Sequence, residues 1–328
     1  MTPRTTTMFV THTPKICAAA AAASACLSLS LPAGAQNVWT DSGAAAAFMD
    51  VPQLVRESIH ARTNENMRSP RTDGGSIWLD LKGATSESDT SVAGASGWDT
   101  DIYGLNLGAD IKRGDSFFGV VYTYANADGD SQGLAQKMST DIDFWGVSIF
   151  GQQTFGVVSL FGAAGWMYVS GDADMGAATY DADGNIWTAD LGIKGIAHLG
   201  PVSIVPYAKA ELTYLQPENF HGGEPDNLRI YQFPVGVNAA WEFTAGDWTL
   251  TPAVDLAVVP TAGDTDATGK LNGAAFSTQF YNDDTFYRAG IEFSAKSEHA
   301  VFGLSYRYLD GSDGYAMHMF GARAEYVF

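Results

Sequence analysis

Residues 229–243 read RIYQFPVGVNAAWEF, and every second side chain is apolar: Tyr231, Phe233, Val235, Val237, Ala239, Trp241 and Phe243. Between them stand Gln232, Gly236, Asn238 and Glu242, which are polar or small. A period of two sends alternate side chains to opposite faces of a strand. This strand therefore has one greasy face and one polar face, and it is long enough to cross a bilayer at a tilt.

The same pattern spreads outward from it. In 248–258, Trp248, Leu250, Pro252, Val254, Leu256 and Val258 oppose Thr249, Thr251 and Asp255. In 286–295, Tyr287, Ala289, Ile291 and Phe293 oppose Arg288, Gly290, Glu292 and Ser294. In 300–308, Ala300, Phe302, Leu304, Tyr306 and Tyr308 oppose Gly303, Ser305 and Arg307. Strands of a soluble sandwich are usually about five or six residues. These run to roughly ten or more, the length of a transmembrane strand. Tyr and Trp gather near the strand ends, at Trp187, Tyr214, Trp241, Trp248, Tyr308 and Tyr326, as in the aromatic girdles of outer-membrane barrels.

The pattern predicts an all-β fold, a transmembrane antiparallel β-barrel of about twelve strands over residues 75–328. Its strands are 75–86, 98–112, 116–127, 139–153, 156–170, 186–199, 201–215, 228–244, 247–260, 284–296, 299–309 and 316–328. Strands 139–153 and 156–170 carry mixed residues on both faces, and 275–282 reads as either a strand extension or a loop. Tight turns fall at Arg113-Gly114-Asp115, Thr154-Phe155, Gly200, Ala245-Gly246 and Ser297-Glu298. They alternate with longer polar loops near 87–97, 128–138, 171–185, 216–227 and 261–283. Short periplasmic turns and long outer loops alternate in this way in an outer-membrane barrel.

Composition agrees. Aromatic residues make up 12 % of the chain and charged residues 17 %, with 36 glycines. Soluble domains carry nearer a quarter charged residues. The net charge of −19 excludes nucleic acid as a partner, because binding phosphates needs clustered Lys and Arg. No mature segment holds about 18 consecutive apolar residues, so the sequence predicts no spanning helix.

Residues 1–35 read as a secretory signal peptide. Arg4 and Lys15 give a positive start, Ile16 to Leu31 an apolar run, and Ala33-Gly34-Ala35 a cleavage site between Ala35 and Gln36. Both cysteines, Cys17 and Cys26, lie inside this segment. Cleavage therefore removes disulfides, thiolate metal sites and cysteine nucleophiles together. Residues 36–74 are a short N-terminal segment ending in a helix over 50–68. Asp50 reads as its N-cap and Pro52 as a first-turn residue, and Ser69-Pro70 ends it. Arg56, Glu57, Arg62 and Arg68 make this helix too polar for the core of a globular domain. A water-filled lumen would accept it. The wall offers matching charges on its polar face: Asp80, Lys82, Asp190, Lys194, Lys209, Glu211, Glu242, Asp255, Arg288, Glu292, Arg307, Arg323 and Glu325. Arg or Lys facing lipid at midplane costs roughly 2–4 kcal/mol, so these point inward and are expected to steady the helix by ion pairs.

The chain's last residues, Ala324-Glu325-Tyr326-Val327-Phe328, end in Phe, with Tyr326, Ala324, Ala322 and Phe320 at every second position before it. This resembles the signal read by the outer-membrane barrel assembly machinery. A helix leading into Gly75-Ser76-Ile77-Trp78-Leu79-Asp80-Leu81-Lys82-Gly83 is similar to the first strand of the autotransporter β-domain. So are the count of about twelve strands and the recurring lumenal glycines Gly146, Gly192 and Gly236. The resemblance spans roughly residues 45–328. It implies a translocator in the outer membrane of a Gram-negative bacterium, surrounded by outer-membrane lipid and acting as a monomer. Its role would be to carry or anchor an N-terminal segment at the cell surface. Only about a dozen residues separate the signal from the helix, so a passenger is expected to be missing. Self-cleaving members cut between adjacent asparagines, and Asn64-Glu65-Asn66 lacks that pair.

Two other classes compete. One is a small porin or gated channel. The other is an outer-membrane enzyme with its site in the outer loops, for which His221 with Glu218, Glu224 and Asp226 is the cluster to name. An acidic solvated loop is the simpler account of it, and no enzymatic activity is expected. The pairs Asp172/Asp174, Asp181/Asp183 and Asp264/Asp266 lack the closing Glu of a calcium loop. No metal and no cofactor is expected.

Overall fold

A computed structural model describes residues 42–70, 73–88, 97–131, 139–174, 179–218, 223–264, 266–271, 274–279, 285–311 and 314–328. The expected signal peptide, its cleavage pair Ala35 and Gln36, and His221 lie outside the described residues.

The wall begins with β1 (Gly74–Ser88), β2 (Trp98–Arg113), β3 (Ser116–Ser131), β4 (Ser139–Phe155) and β5 (Val158–Asp174), each antiparallel to the next. The short β6 (Thr179–Asp181) folds back on β5, and β7 (Gly184–Gly195) continues the wall. Next come β8 (Ala197–Leu199) and β9 (Val202–Pro217), then β10 (Gly223–Pro225), which leaves the wall. Strands β11 (Leu228–Gln232), β12 (Val235–Trp241) and β13 (Phe243–Ala245) form one stave between β9 and β14 (Trp248–Gly263). Pro234, which has no N–H to give, marks the break between β11 and β12. Strands β15 (Asp266–Leu271) and β16 (Ala274–Gln279) make a separate three-stranded sheet with β10. The wall finishes with β17 (Thr285–Lys296), β18 (Ala300–Gly311) and β19 (Ala316–Val327).

The sheet closes on itself. β19 pairs with β1 from Ser76↔Val327 to Glu87↔Ala316, giving a closed antiparallel barrel of twelve staves. Closure leaves no sheet edge, which is what lets strands stand in hydrocarbon. Among the described residues no helix is long and apolar enough to cross a membrane.

All twelve expected strands are there, and several run further than expected at the end that carries the long loops. β3 reaches Ser131, β5 Asp174 and β14 Gly263, so the loops expected from 128, 171 and 261 begin later. Asp172 and Asp174 accordingly stand on a strand. The uncertain stretch 275–282 is largely β16, in the separate sheet. At the opposite, turn end, Gly114 adopts a left-handed φ of 54°. Its N–H donates to Asp73 Oδ1 at 2.7 Å, tying the start of β1 to the β2–β3 turn.

Alternation sorts the side chains as the sequence predicts. Val235, Val237, Trp241, Leu256, Ile291 and Leu304 are exposed on the outside. Asn238, Asp255 and Arg288, their neighbours on the same strands, are buried inside. Four cross-strand pairs set a lumenal aromatic ring beside a glycine: Trp78↔Gly108, Phe150↔Gly119, Phe161↔Gly192 and Tyr207↔Gly236. A Cβ on Gly108 would lie 2.1 Å from the Trp78 ring, so the indole lies flat only because no side chain is there.

Candidate functional site in the barrel lumen

The lumen is filled by one helix, α1 (Ser42–Arg68). It is longer than the helix expected over 50–68, and Asp50 is not its N-cap. Asp50 is buried mid-helix and accepts hydrogen bonds from Ser86 Oγ (2.6 Å) and Tyr315 Oη (2.8 Å). Pro52 lies inside the helix. In an open helix that would cost about 3 kcal/mol; here burial of the flanking residues outweighs it. The helix also proves a core element over part of its length, against the expectation from its polarity. Ala47, Phe48, Met49, Val51, Leu54 and Val55 are all buried.

These apolar residues meet an apolar ring. At the loop end every stave turns one inward: Ala84, Ile102, Ala125, Phe144, Val169, Ile186, Leu215, Ile230, Val259, Phe286, Leu309 and Met317. All but the partly buried Leu309 belong to one buried cluster with the helix residues. Phe48 meets Phe144 edge-on at 5.7 Å between ring centroids. We call this ring and its helical centre the collar.

Toward the turn end the same helix is held by charge. Arg56 Nε pairs with Asp190 Oδ1 at 3.0 Å, and its Nη1 donates to Thr213 Oγ1 at 2.9 Å. Glu57 sits between Arg288, at 2.6 Å, and the Arg307 guanidinium. Arg62 Nη2 donates to Asp110 Oδ2 at 2.7 Å, and its Nη1 to Glu325. Arg68 Nη1 donates to Asn238 Oδ1 at 2.6 Å, with Glu292 at 3.9 Å from its Nη2. Arg323 of the wall pairs with Glu65 at 2.7 Å. Lys194 is wholly buried; its Nζ donates to Thr63 Oγ1 (2.7 Å) and Asn64 Oδ1 (2.5 Å) beneath the Phe161 ring. Asn64 and Asn66 remain within one continuous helix, and Asn66 donates to Gln152 Oε1 at 2.9 Å.

The four helical residues singled out from the sequence, Arg56, Glu57, Arg62 and Arg68, thus converge on wall residues from eight strands, Ser76 of β1 also accepting from Arg62. Asp110 was missed, although it binds Arg62, Ser76 and the Trp78 indole N–H together. It lies on the inner face of β2, where Ile102 obscures the polar signal. Glu242, expected inside, lies next to the turn-end β13 and is only half-buried. Phe320, Tyr326 and Phe328 at the end of the chain face outward, each more than half exposed. Among the described residues no three His, Cys, Asp or Glu side chains converge to hold a metal ion.

A closed twelve-stranded barrel with a greasy exterior and an N-terminal helix in its lumen is an outer-membrane barrel of the translocator type. The Autotransporter beta-domain family matches residues 77–307, and the chain belongs to that family. Solved structures share the fold at low identity. The transport unit of the autotransporter AIDA-I from Escherichia coli superposes with a TM-score of 0.64 at 14 % identity, over 79 % of this chain and 92 % of that one. The translocator domain of autotransporter NalP from Neisseria meningitidis gives 0.64 at 11 %, over 88 % and 99 %. The beta domain of the Bordetella autotransporter Brka gives 0.58 at 16 %, over 78 % and 100 %. Comparison with curated protein sequences finds no match.

Proposed function

We propose that the protein is an anchor in the outer membrane of a Gram-negative bacterium, holding the segment before Ser42 at the cell surface. The observation that carries this is the path of α1. It enters at the turn end, where Arg68 leads into β1, and emerges at the loop end, where Phe48 packs on Phe144. With the short turns in the periplasm, its N-terminus faces outward. Insertion would rest on the barrel assembly machinery reading the outward aromatic residues Phe320, Tyr326 and Phe328, and the barrel would work as a monomer surrounded by lipid. The role needs no bond to be made or broken, since translocator barrels act by enclosing a chain. The porin reading is disfavoured by the helix itself. It occupies the lumen from the apolar ring around Phe48 to the ion pairs of Arg62, and the cavities beside it, about 20 and 30 Å³, have room for water molecules only.

An epitope inserted after Gln36 tests this. Antibody should bind intact cells, and the epitope should stay with the outer-membrane fraction. Binding only after the outer membrane is permeabilised would refute surface anchoring.

A further inference from the structure

The lumen contains two environments in series, and they treat water differently. In the charged zone His60 Nδ1, Asn66 Oδ1, Gln152 Nε2 and Arg323 Nε are buried without a hydrogen-bond partner. Arg323 lines a cavity of about 30 Å³ with Arg68, Lys82 and Glu292, and a second of about 20 Å³ lies against Glu57, Glu211, Arg288 and Arg307. A buried polar atom left unpaired costs about 1–3 kcal/mol, so this zone draws in water wherever a cavity admits it. In the collar, Thr100 Oγ1 is the one such atom among the described residues. Asp50 is buried there too, its carboxylate satisfied by Ser86 and Tyr315; the rest of the cross-section is hydrocarbon, from Phe48, Val51 and Leu54 at the centre to Ile102, Phe144 and Phe286 at the wall.

We propose that the collar is the barrier that closes the lumen to ions and solutes, and that the ion-pair zone below it is wet and continuous with the turn-end solvent. An ion crossing the collar would lose its hydration and meet only the Asp50 carboxylate, already engaged by Ser86 and Tyr315, close to the principle by which apolar constrictions close channels through dewetting. In the charged zone an ion would find water and fixed countercharges. The ion pairs locate the helix; the collar shuts the pore. The inference rests on the helix remaining in the lumen, as the anchor reading has it, but not on anything being displayed.

Planar-bilayer recordings of the purified full-length protein test it, with heat-modifiable gel mobility confirming that each variant is folded. The parent protein should be closed. Leu54→Asp or Val51→Asp should raise conductance by an order of magnitude or more, while Arg62→Gln and Glu57→Gln should leave it closed. Conduction through the charge variants but not the collar variants would overturn the proposal. A second measurement guards against collar variants that fail to fold. Ala61→Cys, in the charged zone, should react with a membrane-impermeant thiol reagent added from the turn-end side and be protected from the loop-end side. Labelling from the loop end would show that the collar is not the seal, and protection from both sides would place a further barrier at the turn end. Failure of the anchor reading would appear separately, as an epitope after Gln36 that antibody cannot reach on intact cells.

Discussion

The two halves of the lumen hold the same helix by opposite means. At the loop end, burial of Phe48, Val51 and Leu54 supplies a non-directional attraction of about 1.5–3 kcal/mol for each side chain. At the turn end, Glu57, Arg62 and Glu65 meet named partners in fixed geometry. Taking such charges out of water offsets most of what their attraction provides. The collar therefore supplies adhesion, and the charged zone supplies register and direction. A helix held only by the collar could slide or rotate by a turn; one held only by charge would stand in a leaky pore.

The sharpest test of this contrast is to remove one partner from each zone. Glu57→Ala takes the nearest carboxylate from the buried Arg288 and Arg307, leaving them Asp255 at 3.9 and 3.3 Å and, for Arg307, Glu292. The expected loss is about 3 kcal/mol, the low end for breaking a buried pair, because Asp255 and Glu292 keep part of the compensation. Urea unfolding of the barrel reconstituted in lipid vesicles measures it. Adding Arg288→Met should recover part of the loss, and a double variant no better than the single one would show that Glu57 acts through something other than the pairs. Leu54→Ala in the collar should cost about 2–5 kcal/mol, depending on how far the ring collapses onto the cavity. The two losses should respond oppositely to sulfate, which screens charge but strengthens apolar burial.

The wall was legible from alternation because lipid outside and water inside impose opposite demands on successive residues. The stretch 229–243 shows this plainly: Val235 and Trp241 face outward while Asn238 is buried inside. The collar was harder to see because there the lumen is apolar too. In β4 the inward Ile142 and Phe144 neighbour the outward Trp145 and Val147. The mixed faces read in 139–153 are the sequence trace of the collar. The helix start was misplaced for a related reason. Asp50 and Pro52 are local punctuation, whereas the force that extends the helix to Ser42 comes from Ile102, Phe144 and Phe286, far away in the chain. Tertiary burial overrode propensity.

The charged zone also depends on how closely its staves fit, which a smaller change probes. Gly108 faces Trp78, whose indole N–H donates to Asp110 at 3.0 Å, and Asp110 in turn holds Arg62. A methyl group at 108 must displace the ring, with an overpacking cost of about 1–3 kcal/mol. Gly108→Ala should lower the temperature of the heat-modifiable gel shift, and in a Trp78→Ala background the same change should be nearly silent. An equal effect in both backgrounds would mean the glycine is needed for its backbone rather than for the room it leaves.

The smallest effect lies at the level of the collar but on the other side of the wall. There Asp101, Asp128, Asp141 and Asp172 stand directly opposite one another across four strands. All four are exposed, two residues beyond the ring of Tyr103 and the half-buried Asn126. Like charges in register across a sheet destabilise it, so Asp128→Asn, which removes two of the three adjacent repulsions, should stabilise the barrel by roughly 0.2–1 kcal/mol. Because the row faces solvent, the gain should be present at low ionic strength and fade at about 1 M salt, where the screening length falls to about 3 Å. The collar variant Leu54→Ala, on the inner face of the same wall, should keep its full loss at high salt. A gain at position 128 that salt left untouched would mean the carboxylate is opposed by burial rather than by its neighbours, and the wall would then be dry on both faces at this height.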